Sequence, residues 1–131
     1  MGKDITMNII EWLQEWTKSQ IDGDWEHEQG VQIDMYDNPG WFIKVDISNY
    51  IDFVQECQPK GYTNEEDWID FDIKILGKER NYAYLTISGD INKLNKILHS
   101  FKAIIERLEI IEKEGRGILS QEEIWQILND N

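Results

Sequence analysis

The sequence predicts an α+β fold: a four-stranded antiparallel meander sheet, with an N-terminal helix and a long C-terminal helix packed on one face and a short last helix after them. Three observations carry that expectation. Apolar residues recur at the helical period over 6–20 and again after Asp90. Four stretches between them alternate apolar and polar residues with period two. Turn residues separate these blocks, and no linker or internal repeat divides the chain, so residues 1–131 read as a single domain.

Residues 6–20 place Ile9, Ile10, Leu13 and Trp16 on one stripe, with Trp12 at its edge. Thr6 or Asn8 caps this helix, and Glu11, three residues past Asn8, completes a capping box. After Gln20, Asp22-Gly23-Asp24 is turn chemistry. Val31, Ile33 and Met35 then alternate with Gln32, Asp34 and Tyr36. Asn38-Pro39-Gly40-Trp41 fits a type II turn, with Gly40 taking the positive φ. The return strand sets Trp41, Ile43, Val45 and Ile47 against Phe42, Lys44 and Asp46, which makes a hairpin.

Residues 48–66 are irregular, with one short helical turn at 49–53. A third strand over 67–76 opposes Ile69, Phe71, Ile73 and Ile75 to Trp68, Asp70, Asp72 and Lys74. After a hairpin-length loop, residues 82–88 form the fourth. Asp90 is placed to cap the long helix, whose seam is Ile91, Leu94, Leu98, Phe101, Ile105 and Leu108. Gly115 and Gly117 end it, and Ser120-Gln121-Glu122-Glu123 opens the last helix. The sheet face away from the helices then carries Asp34, Tyr36, Phe42, Lys44, Asp46, Trp68, Asp70, Asp72, Tyr82 and Tyr84. Such a mixture suits a solvated face and a protein-binding face equally.

The balance of 26 acidic against 13 basic residues, a net charge of -13, repels nucleic acid and anionic membranes. It favours a basic partner and fast, salt-sensitive association; a surface kept acidic for solubility alone has the same composition. Cys57 is the only cysteine, so an internal disulfide and a multi-cysteine zinc site are excluded, in keeping with a reducing cytoplasm. Nothing at the N-terminus resembles a signal peptide, and no run of apolar residues is long enough to span a membrane. Met7 is an alternative start, which would make the first six residues an extension.

The densest chemistry lies in Asp22-Gly23-Asp24-Trp25-Glu26-His27. Asp22, Asp24 and Glu26 have the spacing that opens a calcium loop. His27 then stands where glycine is required and Ile33 where a bidentate glutamate belongs, so the match fails. With His99 on a distant helix, the histidines are too few for zinc. A small hydrolase using Asp22, Asp24, Glu26 and His27 has no motif behind it. Two further readings stand: a helix-to-strand connection tied by Asx turns with Trp25 as a plug, or a surface making charge-assisted hydrogen bonds to Arg and Lys. Carboxylates engaged with neighbouring backbone N–H groups would mark the first.

Trp12-Leu13-Gln14-Glu15-Trp16, Ser19-Gln20, the Asp22–His27 run, Gly30 and Asp37-Asn38-Pro39-Gly40-Trp41 together resemble the immunity protein 53 family of bacterial polymorphic toxin systems. The resemblance covers about 8–105 and includes Asp67-Trp68; residues 115–131 read as a helical extension. Ile21 is a departure, since the family pattern usually has Cys there. Membership implies a cytoplasmic, non-enzymatic antidote without a cofactor, which binds and neutralises a cognate protein toxin. Nuclease-type toxins, common in such systems, need basic surfaces, and an acidic chain suits them. On this reading the expected contacts are Asp22, Asp24, Trp25, Glu26, His27, Asp37 and Trp41, together with Asp34, Asp46, Asp70 and Asp72 on the open sheet face.

Overall fold

In a computed structural model, residues 7–28, 30–37 and 39–130 are described. Thr6 and Asn38 lie outside these residues, and with them one candidate helix cap and part of the expected type II turn. The elements are α1 (Ile9–Gln20), α2 (Trp25–Glu28), β1 (Val31–Tyr36), β2 (Gly40–Asp46), a 3₁₀ segment (Ser48–Phe53), β3 (Ile69–Leu76), β4 (Tyr82–Asp90), α3 (Leu94–Glu114) and α4 (Gln121–Asp130). This is the α+β arrangement expected, with one four-stranded antiparallel sheet backed by helices.

The strands lie in the order β1-β2-β4-β3. They form two hairpins, and β4 rather than β3 takes the place beside β2. The long 47–68 connection makes this possible. Its 3₁₀ segment buries Tyr50 at the foot of α3, and Cys57 then bridges Ile73 on the outer edge of β3. The order has a consequence for function: every row across the sheet meets β4, so residues from β2 and β3 flank a common central strand.

Asn8 caps α1: its Oδ1 accepts from Glu11 N at 2.8 Å, while Glu11 Oε1 accepts from Asn8 N at 3.1 Å. Asn8→Ala leaves Glu11 N without its acceptor, and a stability loss of about 1 kcal/mol in denaturant unfolding is expected. Trp16 is buried and meets Phe101 of α3 edge-on at 5.1 Å, and Trp12 meets the same ring at 5.6 Å. The core lies between the sheet and α3, with Ile43, Val45, Phe71, Ile73, Leu85 and Ile87 facing Ile97, Phe101, Ile104, Ile105 and Leu108. α4 closes one side by burying Ile124 and Leu128, and its Trp125 packs edge-on against Phe71. No helix among the described residues is long and apolar enough to cross a membrane.

Three local expectations differ from the structure. Gly40 does not take a positive φ; it opens β2, where a Cβ would come within 2.6 Å of the Gly89 carbonyl oxygen. Close approach, rather than turn geometry, requires glycine there. Asp90 does not cap α3, which begins only at Leu94 after Lys93; Asp90 closes β4 and binds elsewhere. Ile33 and Met35 share the face of the core residue Ile43 yet are 43% and 50% exposed, because β1 is an edge strand that the helices cover only near Val31. At the far end of α3, Gly115 has a φ of 78°, the left-handed cap that the sequence predicts.

Candidate partner-binding surface

The Asp22–His27 run folds as a closed knot of backbone hydrogen bonds. Asp22 Oδ1 accepts from Asp24 N at 2.9 Å and Trp25 N at 3.0 Å, capping α2. Glu26 reaches back, its Oε1 and Oε2 accepting from Asp22 N and Gly23 N at 3.1 and 2.9 Å. The N–H groups of Trp25 and Asp24 hold the Asp22 carboxyl below its ordinary pKa. Asp22 and Glu26 are exposed but engaged with the loop itself.

Trp25 turns inward. Its ring packs edge-on against Trp16 at 5.7 Å, and its Nε1 donates to the Asp46 carbonyl at 2.9 Å. At 6% exposure it plugs the core, and a partner cannot use it as a surface anchor without unfolding the loop. Asp46 is equally buried, and its Oδ1 accepts from Ser48 N. Asp22, Asp24, Trp25, Asp46 and Tyr82 nevertheless converge on one open cleft of about 440 Å³. Asp24 and His27 are exposed. Among the described residues, no three of His, Cys, Asp and Glu are placed to hold a metal ion.

The strand register shows what the open sheet face carries. Asp34, Phe42, Ser88 and Asp70 form one row across the four strands; Gln32, Lys44, Thr86 and Asp72 form the next. From Phe42 of the first row runs an aromatic line: Phe42 lies 5.0 Å from Tyr36, Tyr36 lies 6.3 Å from Trp68, and Tyr62 stacks on Trp68 at 3.8 Å with planes 7° apart. Tyr36, Tyr62 and Trp68 wall a second open cleft, of about 490 Å³, which Pro59, Lys60, Gly61, Asp70, Asp72 and Ser88 complete.

The two aspartates of that cleft do different work. Asp70 is buried and binds the 59–62 loop to β3: Lys60 N and Phe71 N donate to its Oδ1, and Gly61 N donates to its Oδ2 at 2.7 Å. Asp72 is half-buried, and its Oδ1 is out of solvent with no hydrogen-bond partner. Burial pushes its carboxyl pKa up, aided by Asp70, while Lys74 and Lys44 pull it down. Elsewhere, Asp34 is exposed with its Oδ1 accepting from Met35 N, and Asp37 is exposed beyond β1. Trp41 lies on the helix side, half-buried, donating to the Ile91 carbonyl.

Asp90 holds the aromatic end of the sheet together. Its Oδ2 accepts from Trp68 N at 2.8 Å and from Lys93 Nζ at 2.6 Å, and its Oδ1 accepts from Asn92 N. Burial works against its charge, but Lys93 and these N–H groups outweigh it and hold the carboxyl below its ordinary pKa. A carboxyl with a depressed folded pKa stabilises the fold above its unfolded pKa, and that stability drains away as pH falls through the folded value. Asp90→Asn is therefore expected to lower the denaturant midpoint near neutral pH, with the gap to the parent protein narrowing below about pH 4.

Pro59-Lys60-Gly61 reads in the sequence as a loop, but nothing there places it, or Tyr62, beside this cleft. They fall in an aperiodic connection, and the Asp70 hydrogen bonds, with the stacking of Tyr62 on Trp68, bring them over the sheet. Cys57, by contrast, is buried, and burial pushes its thiol pKa up, with Asp72 and Glu122 adding to the effect.

A family model described as immunity protein 53 matches residues 10–106, from the first turn of α1 into α3. No curated protein and no solved structure matches the chain. The matched span contains the Asp22–His27 knot, all four strands and both open clefts, and it covers well over half of the sequence. The chain belongs to the immunity protein 53 family.

Proposed function

We propose that this chain neutralises a basic, nuclease-type toxin by non-covalent occlusion, using the acidic and aromatic sheet face opposite its helices. The observation that carries the reading is the net charge of -13 on a member of an immunity family. A cationic cleft built to hold phosphates is complementary to such a surface, and long-range attraction raises the encounter rate. Chemistry on a substrate plays no part in this mechanism.

Within the surface, the acidic and aromatic residues divide into two groups. Asp24, His27, Asp34, Asp37 and Asp72, with Tyr36 and Tyr62, meet the toxin. Asp22, Trp25, Glu26, Trp41, Asp46 and Asp70 hold those groups in place from beneath. The division follows burial and hydrogen bonding: a carboxylate that already accepts two or three backbone N–H bonds, as Asp70 does, has little left to offer a guanidinium.

Co-expression tests the reading. The chain should rescue growth of cells producing the toxin encoded beside it, and purified toxin should associate about tenfold more slowly at physiological than at low ionic strength. Rescue by the chain without complex formation, or association indifferent to salt, would overturn it.

A further inference from the structure

We infer that the cleft walled by Tyr36, Tyr62 and Trp68, with Asp72 at its base, is a receptor for an arginine side chain of the partner. The inference rests on the toxin-binding reading above and adds the chemical group that the surface recognises. Three features of the cleft converge on a planar cation.

First, its walls are π-faces. Tyr62 lies flat on Trp68, and Tyr36 stands next to the pair. Such a wall attracts cations, and a flat guanidinium stacks on it better than a compact ammonium does. Second, the cleft holds a carboxylate oxygen that makes no hydrogen bond. Asp70 is satisfied by the backbone, whereas no hydrogen bond reaches Asp72 Oδ1. Third, the ammonium groups of two lysines, Lys44 nearby and Lys60 in the lining itself, lie over other rings, those of Tyr84 and Trp125. Lys44 Nζ lies 5.4 Å from the centre of the Tyr84 ring, and Lys60 Nζ lies 4.2 Å from that of Trp125. A volume of about 490 Å³ leaves room for a side chain to enter end-on. A guanidinium there would donate to the Asp72 carboxylate and lay its plane against the rings, two contacts that a neutral isostere cannot reproduce.

The test needs no toxin. The probe is the capped tripeptide acetyl-Gly-Arg-Gly-amide, with its citrulline and lysine counterparts as controls. The readout is the indole ¹⁵N–¹H resonance of Trp68, one of six tryptophans in the chain. The arginine peptide should shift that resonance saturably, with citrulline at least about tenfold weaker and lysine between them. Asp72→Asn should erase the preference for arginine over citrulline while leaving the rest of the amide spectrum in place. Should that variant fail to fold, Tyr62→Ala serves instead, since it removes an exposed ring from a loop and should weaken the arginine peptide without touching the core.

An unmoved Trp68 resonance, or equal responses to arginine and citrulline, would overturn the receptor. The two readings fail separately. Neutralisation by the acidic face without peptide binding would remove the receptor alone, whereas peptide binding by a chain that neutralises nothing would remove the toxin reading.

Discussion

Trp25→Ala is expected to lower the thermal midpoint by about 10–20 °C, the largest single effect in the Asp22–His27 run. The ring is buried against Trp16, and its N–H satisfies the Asp46 carbonyl. Truncating a buried tryptophan costs about 3–5 kcal/mol, and each kcal/mol moves the midpoint of a domain this size by roughly 3–5 °C. Trp25→Phe keeps most of the packing but strands that carbonyl, so a loss of about 1–3 kcal/mol is expected. Scanning calorimetry on the two variants separates packing from hydrogen bonding. If Trp25 were instead a contact for the toxin, both variants would keep their midpoints and lose only affinity.

Asp72→Asn is expected to do the reverse: to weaken toxin binding by on the order of tenfold to a hundredfold while raising thermal stability near neutral pH. Its carboxyl pKa is raised in the fold, chiefly by burial. A raised pKa means that the folded state binds the proton more tightly than the unfolded chain, so ionisation drains stability as pH climbs through the folded value. Removing the charge removes that cost. The stability advantage of the variant should accordingly vanish in acid, below about pH 4, where the parent carboxyl is protonated in both states. Calorimetry at the two pH values, with a binding titration beside it, checks both halves. A destabilised variant with unchanged affinity would assign Asp72 to the scaffold.

Much of the architecture was legible because period and polarity agree locally. The alternation in 31–36, 41–47, 67–76 and 82–88 marked every strand, although the third begins only at Ile69, and the Asn8/Glu11 box was one of two candidate caps for α1. Strand order was not legible, because it depends on where the aperiodic 47–68 connection leads, and Tyr50 and Cys57 decide that through tertiary contacts. Asp90 illustrates a local rule losing to a distant partner. An aspartate ahead of an apolar helical stripe reads as a cap, yet Trp68 N, 22 residues away, takes the carboxylate. Half the candidate site was missed for a like reason: the alternation puts Trp68 on the open face, but Tyr62 reaches it only once Asp70 has bound the 59–62 loop. For Asp22–His27, the plug reading of Trp25 described the loop better than an exposed anchor, because an indole surrounded by carboxylates still gains more from burial against Trp16.

Amide hydrogen exchange of the chain, alone and bound to the toxin that co-expression identifies, tests the central claim most directly. Occlusion by the open sheet face predicts new protection in the 58–66 segment, around Trp68 and along the exposed edge from Asp34 to Asp37, with α3 and α4 unchanged. Protection gained on α3 and α4, with 58–66 exchanging as it does in the free protein, would contradict it.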